Sequence, residues 1–239
     1  MGLGSSFGIS AETGNNIQTD GLVFYVDAAY KKSYPGSGTS VTDLVNGSVG
    51  TMSSVGFNST GYFTFETNTN RIDFTANSNL NFGTGNWTFS CWVYPTAYSA
   101  DGFYRRIWML DGPTANNTDN PQHLLDTGDG SAYSWTNGNL EITGGSTSLL
   151  NNWVNVVMVR NGSTITQYID TVADGTDTSF SIDTSNLNSG SPRFRIGSYN
   201  TGGSGDYEGN FSNMQIYNRA LTTGDILQNY NASKERFGR

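Results

Sequence analysis

The sequence predicts an all-β fold, a two-sheet antiparallel sandwich of the jelly-roll type. Short segments in which apolar and polar residues alternate recur along the chain, and stretches rich in Gly, Asn, Ser and Thr separate them. Charged residues make up only 13% of the 239 residues, which disfavours long solvated helices, whereas the 30 glycines suit many tight turns. Aromatic residues, also 13%, supply the bulky side chains that fill the core of a sandwich.

Residues 1–20 contain no hydrophobic period, so we expect a flexible arm ahead of a single domain formed by residues 21–239. The predicted strands share a two-residue period or a short apolar run. They are residues 22–26, 62–66, 71–75, 87–94, 103–110, 131–136, 139–143, 153–160, 163–170, 193–197 and 211–217. Residues 171–192 are predicted to be mostly loop, with only a short strand around Phe180.

Two hairpins are predicted from Asn-Gly pairs. The strands 153–160 and 163–170 flank Asn161-Gly162, and this dipeptide predicts a type I′ turn because it accepts positive φ at both central positions. A similar hairpin is predicted to turn at Asn137-Gly138.

The chain ends in a predicted short helix. Ile226, Leu227 and Tyr230 form one apolar stripe at helical spacing, and Thr222 with Asp225 three residues later predicts an N-terminal cap. The basic residues beyond it are predicted to form a solvated tail; they are Lys234, Arg236 and Arg239.

Charge and apolar content exclude two classes of partner. The net charge of −8 repels phosphate backbones, and the C-terminal basic tail is too small to reverse this, so no nucleic acid partner is expected. No run approaches the 18 or more apolar residues of a membrane span, so no membrane partner is expected either. The single cysteine, Cys91, falls on the apolar face of its strand and is predicted to be a buried, inert thiol.

Several segments resemble, in the expected order, the blocks of laminin-G-like (concanavalin A-like) jelly-roll domains. They are residues 20–27, 62–66, 71–74, 80–89, 153–160, 195–197 and the strand, turn and helix of 207–232. The glycine-rich start, the Tyr34-Pro35-Gly36 loop and the ending 229–238 resemble, more narrowly, proteins of tailed bacteriophage particles. The resemblance implies a sandwich that acts by binding or by shape.

The sequence departs from this family between Glu66 and Arg71. Related domains often have an Asp-rich turn there, whereas this chain has Asn68 and Asn70. Asparagine keeps an oxygen but loses the negative charge that offsets the dehydration of calcium. A calcium site of the family type is therefore not expected at this turn.

Catalytic residues are not predicted. His123 is the only histidine and has no nucleophile elbow or cysteine partner in the sequence pattern, which argues against a triad and against a histidine-based zinc site. Glycosidases need two facing carboxyl groups, and the nearest pair, Asp206 and Glu208, lies in a Gly-rich stretch and is predicted to be solvated. We expect a protein that is not an enzyme.

Two acidic clusters are the candidates for metal binding. The first contains Asp126 and Asp129, and the second contains Asp170, Asp174 and Asp177. Such turns can offer carboxylate and carbonyl oxygens to calcium, but ordinary Asp-Gly turns have the same composition. The prediction is therefore no bound metal and no cofactor, with calcium as the one ion that these turns would suit.

Carbohydrate binding has its own candidates. Lectin-like sites use an exposed aromatic ring as a stacking platform beside amide groups, and the aromatic residues near predicted turns with such neighbours are Tyr98, Tyr133, Trp135 and Tyr199. Trp135, with Tyr133 and Tyr199, is the leading glycan-binding set. The alternative, that these rings fill the core and its rims, stays open.

Two functional hypotheses follow. The first is a non-enzymatic structural protein of the phage virion, which decorates or cements the capsid or associates with the tail, and forms a homo-oligomer in contact with proteins such as the major capsid protein. The second is a lectin-like adhesion module that recognises glycans on a host surface, with or without calcium. Both hypotheses assume a jelly roll that binds rather than catalyses.

Overall fold

The computed structural model describes residues 16–66, 69–98, 105–111, 121–125, 130–136, 139–143, 148–185, 193–198 and 205–239. For residues 111, 124, 133–136, 139–141 and 143 the description covers the backbone alone. Within these residues the fold is the predicted two-sheet antiparallel sandwich, with one short α-helix near the C-terminus.

We call the first sheet sheet A. Its strands are β1 (Leu22–Asp27), β4 (Gly56–Asn58), β5 (Tyr62–Phe65), β7 (Trp87–Pro95), β12 (Val154–Asn161), β13 (Thr164–Ile169), β14 (Val172–Asp177) and β16 (Gly209–Tyr217). The order across the sheet is β14-β13-β12-β7-β16-β5-β4, and β1 also pairs with β16.

Sheet B faces sheet A across the core. Its strands are β2 (Ser40–Thr42), β3 (Val49–Ser53), β6 (Arg71–Phe74), β8 (Arg105–Asp111), β9 (Gln122–Leu125), β10 (Ala132–Thr136), β11 (Asn139–Thr143) and β15 (Arg193–Ile196). The order is β11-β10-β9-β8-β15-β6-β3-β2.

Aromatic rings fill the space between the two sheets. Phe89 of β7 stacks on Trp108 of β8, with ring centroids 4.3 Å apart and planes 8° from parallel. Phe24 meets Phe74 edge to face at 4.9 Å. Because large rings bury much apolar area and pack in preferred geometries, these contacts fix how the sheets lie against each other. Cys91 belongs to the same core and is fully buried, as predicted.

The outer face of sheet A is covered by the C-terminal segment. Helix α1 (Thr223–Ser233) continues into a 3₁₀ turn (Lys234–Phe237). The Trp92 ring stacks against Tyr230 at 5.3 Å and against Phe237 at 4.2 Å, and its indole N–H donates to Ser233 Oγ at 2.9 Å. This cover explains why β7 is buried on both faces, although its sequence alternates.

The helix begins as predicted but buries different residues. Thr222 and Asp225 form a capping box, because each side chain accepts a hydrogen bond from the backbone N–H of the other residue. The helix buries Ile226, Asn229 and Ala232, whereas Leu227 is 48% exposed. The prediction that Leu227 lies on the packed side of the helix is therefore wrong. The polar residue Asn229 is buried on that side instead.

The basic C-terminus is not a solvated tail, which corrects the prediction. Arg236 pairs with the buried carboxylate of Asp27 at 3.0 Å. Arg239 donates to the carbonyl of Trp153 and pairs with Asp170 at 2.8 Å. The terminal segment folds back because its charged side chains form ion pairs and hydrogen bonds with residues of sheet A. The composition of the segment does not show which residues these are.

The hairpin between β12 and β13 turns one residue later than predicted. Asn161 pairs with Thr164, so the two-residue turn is Gly162-Ser163, with φ of +63° at Gly162 only. Glycine first, with positive φ there alone, is the pattern of a type II′ turn rather than type I′. In the second hairpin Thr136 pairs with Asn139, which confirms a two-residue connection at 137–138; these two residues lie outside the described residues.

Five strands were not predicted: β2, β3, β4, β9 and β14. Residues 171–192 were predicted to be mostly loop, yet β14 pairs with β13 there, with one register shift between Gln167 and Tyr168, and Phe180 is buried outside any strand. β2, β4 and β14 lie at sheet edges, where backbone pairing holds a strand without an apolar alternation in its sequence.

Residues 16–20 contact helix α1. The backbone N–H of Gln18 donates to Asn229 Oδ1 at 2.7 Å, and its carbonyl accepts from the Tyr217 hydroxyl at 3.1 Å. The arm over residues 1–20 stays a prediction, because residues 1–15 lie outside the described residues. Of the helices described, none has the length and hydropathy needed to cross a bilayer.

Candidate functional site

A surface groove with a volume of about 370 Å³ lies at one end of the sandwich. We call it the asparagine groove. Its polar wall and its aromatic ring come from Ser78, Asn79, Asn81, Asn86, Asn218 and Phe82. Ligand pockets are typically about 300–1,000 Å³ in volume, so the groove is large enough for one or two sugar rings.

A 3₁₀ turn over Ser78–Leu80 positions the first asparagines of the groove. The side chain of Asn77 caps this turn by accepting from the backbone N–H of Asn79 at 2.9 Å. Leu80 is fully buried and anchors the turn in the core. Asn81 then accepts from the Gly83 N–H at 3.2 Å. Asparagine side chains favour such local bonds to the backbone, which is why an Asn-rich run folds as a rigid loop here.

The groove is closed by residues distant in sequence. Asn86 accepts from the backbone N–H of Gly162 in the β12–β13 turn at 2.8 Å. The backbone N–H of Asn218 donates to the Gly21 carbonyl at 2.8 Å, which fixes the turn after β16 beside the start of β1. The site therefore depends on three parts of the chain that meet only in the folded protein.

The amides of the groove divide into two kinds. Those of Asn81 and Asn86 are held by loop hydrogen bonds, whereas the side chains of Asn79 and Asn218 make no hydrogen bond to another described residue. Both of these are exposed. An amide offers a carbonyl acceptor and two N–H donors, which matches the paired donor and acceptor character of sugar hydroxyls.

Phe82 supplies the apolar part of the groove. Its ring is half-buried and packs edge to face against Phe89 at 6.1 Å. The backbone N–H of Phe82 also donates to Thr184 Oγ1 at 2.8 Å, which fixes the ring's position. None of the described residues that line the groove is ionisable. The groove therefore suits a neutral ligand with hydroxyl groups and an apolar face.

Of the described residues that line this groove, none belongs to the predicted glycan-binding set. Trp135 lies in β10, where it pairs with Gln122 of β9, and Tyr133 pairs with Leu124. The side chains of Trp135 and Tyr133, and all of Tyr199, lie outside the described residues, so their role in glycan binding stays a prediction. Tyr98 is described and is 42% exposed, away from the groove.

The second acidic cluster does not converge. Asp170 accepts from the Asn155 N–H and pairs with Arg239, while Asp174 accepts from Gln167 at 2.8 Å. Asp177 caps a local turn by accepting from the Ser179 N–H at 2.7 Å. The described residues contain no group of three or more metal-ligating side chains. Asp126 and Asp129 lie outside the described residues, and calcium binding there stays a prediction.

Asn70 takes a structural role at the turn where related domains often have aspartates. Its Oδ1 accepts from the Glu66 N–H at 2.6 Å, and its Nδ2 donates to the Ser54 carbonyl at 2.5 Å. A carboxylate could accept the first bond but could not donate the second. The amide therefore closes this turn through hydrogen bonds; Asn68 lies outside the described residues.

The candidate catalytic groups occupy structural positions. His123 is fully buried, and desolvation lowers its pKa to about 4, an effect that Gln167 offsets only in part. Asp206 is fully buried, and Glu208 pairs with Arg105 at 3.1 Å. The prediction that this pair is solvated is wrong for Asp206, whose backbone forms an isolated bridge to Arg106 of sheet B, whereas the Glu208 side chain stays 28% exposed.

The asparagine groove was not among the sites predicted from the sequence. Part of the groove could have been predicted from residues 77–86. Several asparagines and the ring of Phe82 lie close together in this stretch, which is the composition of a sugar-binding loop. Asn218 and Val23 could not be assigned in the same way, since only the pairing of β1 with β16 brings them to the groove.

Comparisons with solved structures show the same sandwich in other proteins. The Trypanosoma rangeli sialidase in complex with the inhibitor DANA matches with a TM-score of 0.71 and 14% identity, over 97% of this chain and 36% of that one. The binding domain of botulinum neurotoxin serotype D/C matches with a TM-score of 0.64 and 12% identity, over 89% of this chain and 52% of that one. The chain thus spans little more than a third of the sialidase, and at these identities the likeness shows the fold alone.

Sequence comparison gives the family. No curated protein sequence matches the chain. The model of a laminin-G-like family, described as the concanavalin A-like lectin/glucanases superfamily, matches residues 58–227, which is more than half of the chain. The protein therefore belongs to the concanavalin A-like lectin/glucanases superfamily, as the resemblance of its sequence blocks had indicated.

Proposed function

We propose that this protein is a non-catalytic carbohydrate-binding module that binds a neutral glycan in the asparagine groove. The observation behind the proposal is the pairing of Asn79 and Asn218, two exposed amides that make no hydrogen bond to other described residues, with the fixed ring of Phe82. Sugars present hydroxyl groups at their edges and C–H groups on their faces. The amides fit the edges, and the ring fits the face.

The positions of the acidic residues support a role without catalysis. A glycosidase needs one carboxyl group as acid and another as nucleophile or base on opposite sides of the scissile bond. The described lining of the groove contains no ionisable residue, and of the nearest acidic pair in the sequence Asp206 is buried and Glu208 pairs with Arg105. This arrangement favours retention of a glycan over its cleavage.

A glycan array tests the proposal, with calcium and with a chelator in parallel. We expect the wild-type protein to bind neutral glycans, and Asn79→Ala and Asn218→Ala to weaken this binding about tenfold each, since each change removes an amide hydrogen bond of about 1–1.5 kcal/mol. The matched control is Asn152→Ala, an exposed asparagine outside the groove, which should bind normally. Absence of glycan binding by the wild type under both conditions would refute the proposal.

The array with chelator also tests the calcium prediction. Binding that disappears on chelation and returns with added calcium would support a bound calcium ion, for which Asp126 and Asp129 are the candidates that remain untested. Equal binding in both conditions would mean that the groove recognises sugar through amides alone.

We propose a second function, a structural role in a phage virion. The motivating observations are the resemblance of the chain ends to phage particle proteins and the bonds of residues 16–20 to helix α1. An arm that begins beside this helix would reach a neighbouring subunit, such as the major capsid protein or a second copy of this chain, from the outer side of sheet A. Glycan binding and a virion role are compatible.

Deletion of residues 2–15 tests the virion role, because it leaves the contacts of residues 16–20 intact. We expect the shortened chain to fold normally but to be lost from particles, as measured by mass spectrometry of purified virions. A chain with these fourteen residues in scrambled order separates the effect of their sequence from that of their length. Incorporation of the shortened chain at the wild-type level would rule out attachment through the arm.

A further inference from the structure

The C-terminal segment leaves one end of the outer face of sheet A partly exposed. Its last ring, that of Phe237, lies between the rings of Trp92 and Trp153, with centroid distances of 4.2 and 4.8 Å. Beyond Trp153 lie the rings of Tyr62 and Tyr94, at 5.5 and 5.7 Å from it. Trp92 and Phe237 are buried, whereas Trp153, Tyr62 and Tyr94 are each only half-buried. The aromatic cluster therefore reaches the surface at this end.

The pairing register shows that polar residues share this face with the rings. Gly56 pairs with Thr64, Thr64 with Asn210, and Asn210 with Tyr94. Directly paired residues of antiparallel strands share a face, about 5 Å apart. Phe63, next to Thr64 in β5, is buried in the core, so the row lies on the outer face, and none of its four members is buried. We call five side chains the aromatic platform: Tyr62, Thr64, Tyr94, Trp153 and Asn210.

The polar groups of the aromatic platform are open to a ligand. None of its five side chains makes a hydrogen bond to another described residue. Together they offer hydroxyl, amide and indole N–H groups, which supply both donors and acceptors. A sugar ring has C–H groups on its faces and hydroxyls at its edges, so aromatic rings match the faces and these polar groups match the edges.

We propose that the aromatic platform is a second carbohydrate site, which binds hexose units whose hydroxyls are all equatorial, such as β-linked glucose. Equatorial hydroxyls leave only C–H groups on both faces of the sugar, whereas an axial hydroxyl places a polar group in the contact with an aromatic ring. The platform lies at the far end of β7 from the asparagine groove, since the eight residues from Asn86 to Tyr94 span about 26 Å in a strand. It extends the proposed function to a second surface and does not depend on binding in the groove.

The size and charge of the platform disfavour other classes of ligand. A standard protein interface buries about 800 Å² on each partner, from roughly 20–30 residues, which is far more than five side chains supply. Single-stranded nucleic acid also stacks on aromatic rings, but it needs a positively charged groove. The net charge here is −8, and Arg239, which donates to the Trp153 carbonyl, is already paired with Asp170.

The angles between the rings favour a soluble sugar chain over an insoluble polysaccharide. Trp153 is tilted by 65° from Tyr62 and by 59° from Tyr94. The ring faces therefore point in different directions and form no flat plane. Single sugar units fit such a surface, whereas the flat face of a packed polysaccharide does not.

Titration of the full chain with cellohexaose, followed by tryptophan fluorescence, tests the inference. Among the tryptophans whose side chains are described, Trp153 is half-buried and the other three are fully buried, so quenching by acrylamide reports on the platform. We expect saturable binding that protects Trp153 from acrylamide, and loss of this protection in Trp153→Phe. Mannohexaose, which has the same linkage but an axial hydroxyl at C2, should bind at least tenfold more weakly.

Two asparagine substitutions separate the two sites. Asn210→Ala should weaken the binding of cellohexaose about tenfold, since it removes an amide of the platform while leaving the rings in place. Asn218→Ala is the matched control, because it makes the same change in the asparagine groove and should leave the fluorescence titration unchanged.

Each outcome of the titration decides the inference. Binding of cellohexaose that is weakened by Asn210→Ala but not by Asn218→Ala supports it. No binding of cellohexaose, equal affinity for mannohexaose, displacement by single-stranded DNA, or equal effects of the two substitutions overturns it. The glycan array with the groove variants tests the asparagine groove separately, so either site can fail while the other stands.

Discussion

His123 is a polar side chain buried in the core, and its burial affects the stability of the fold. It occupies the inward row of sheet B, between Trp108 and Ser134, where an apolar residue would be expected. Its ring meets Trp108 edge to face at 6.0 Å. Across the core, Gln167 of sheet A donates to the Ala132 carbonyl of sheet B at 3.1 Å, so polar groups of both sheets meet near this ring. Sequence alone marked His123 as a lone histidine without saying that it fills the core.

Burial of His123 predicts a loss of stability in acid. The folded pKa is about 4, below the unfolded value of 6.5, so the unfolded chain binds the extra proton between these values and stability falls as the pH drops through this window. The contribution is about 2–3 kcal/mol between pH 7 and pH 4.5. His123→Leu should remove it, and urea unfolding of both proteins at the two pH values measures the difference.

The control for this experiment is internal. Carboxylates titrate in both proteins, so only the gap between the two stability curves reports on His123. Curves that stay parallel from pH 7 to pH 4.5 would contradict the assignment of a neutral, buried imidazole.

The two hairpin turns on either side of β13 differ in position and type from what the sequence predicts. Asn161-Gly162 predicts a hairpin correctly, but the turn forms one residue later, since strand register depends on which residues face the core. The type I′ conformation occurs instead in the next hairpin, where Ile169 pairs with Val172. There Asp170 and Thr171 have φ of +47° and +76°.

Thr171 is the strained member of that turn, because a β-branched residue is disfavoured at positive φ. Thr171→Gly would create the Asp-Gly pair that type I′ turns prefer. We expect the free energy of unfolding to rise by about 0.5–1 kcal/mol, the relief of strain minus the entropy cost of glycine. Denaturant unfolding measures it.

Thr176→Gly provides the matched control for the turn. Thr176 is an exposed residue of β14, the strand that follows this turn, and its φ is not positive. The same substitution there should lower stability, because glycine weakens a strand interior. A loss of stability in both variants would mean that Thr171 is not strained.

At the scale of the whole molecule, the two sheets use their outer faces differently. Sheet A is covered by the chain's own C-terminal segment, through Trp92, Phe237 and the Arg236–Asp27 pair. Sheet B keeps arginines and carboxylates on its outer face. The surface that carries the proposed function is the asparagine groove, whose described lining residues come from neither of these two groups.

The sequence by itself determined the class of fold, the family and the cap of the helix. Alternating apolar residues, glycine-rich turns and the pair Thr222 and Asp225 act locally, so they can be recognised without knowing what packs against them. The buried state of Cys91 followed from the same alternation.

Only the tertiary structure decided where the sites lie. The asparagine groove needs Asn79, Asn86 and Asn218 to meet. Edge strands such as β14 and the folded-back Arg236 likewise depend on partners far away in sequence. The physical reason is that pairing, burial and ion pairs join residues across loops, and a local pattern contains no information about which distant residue will complete them.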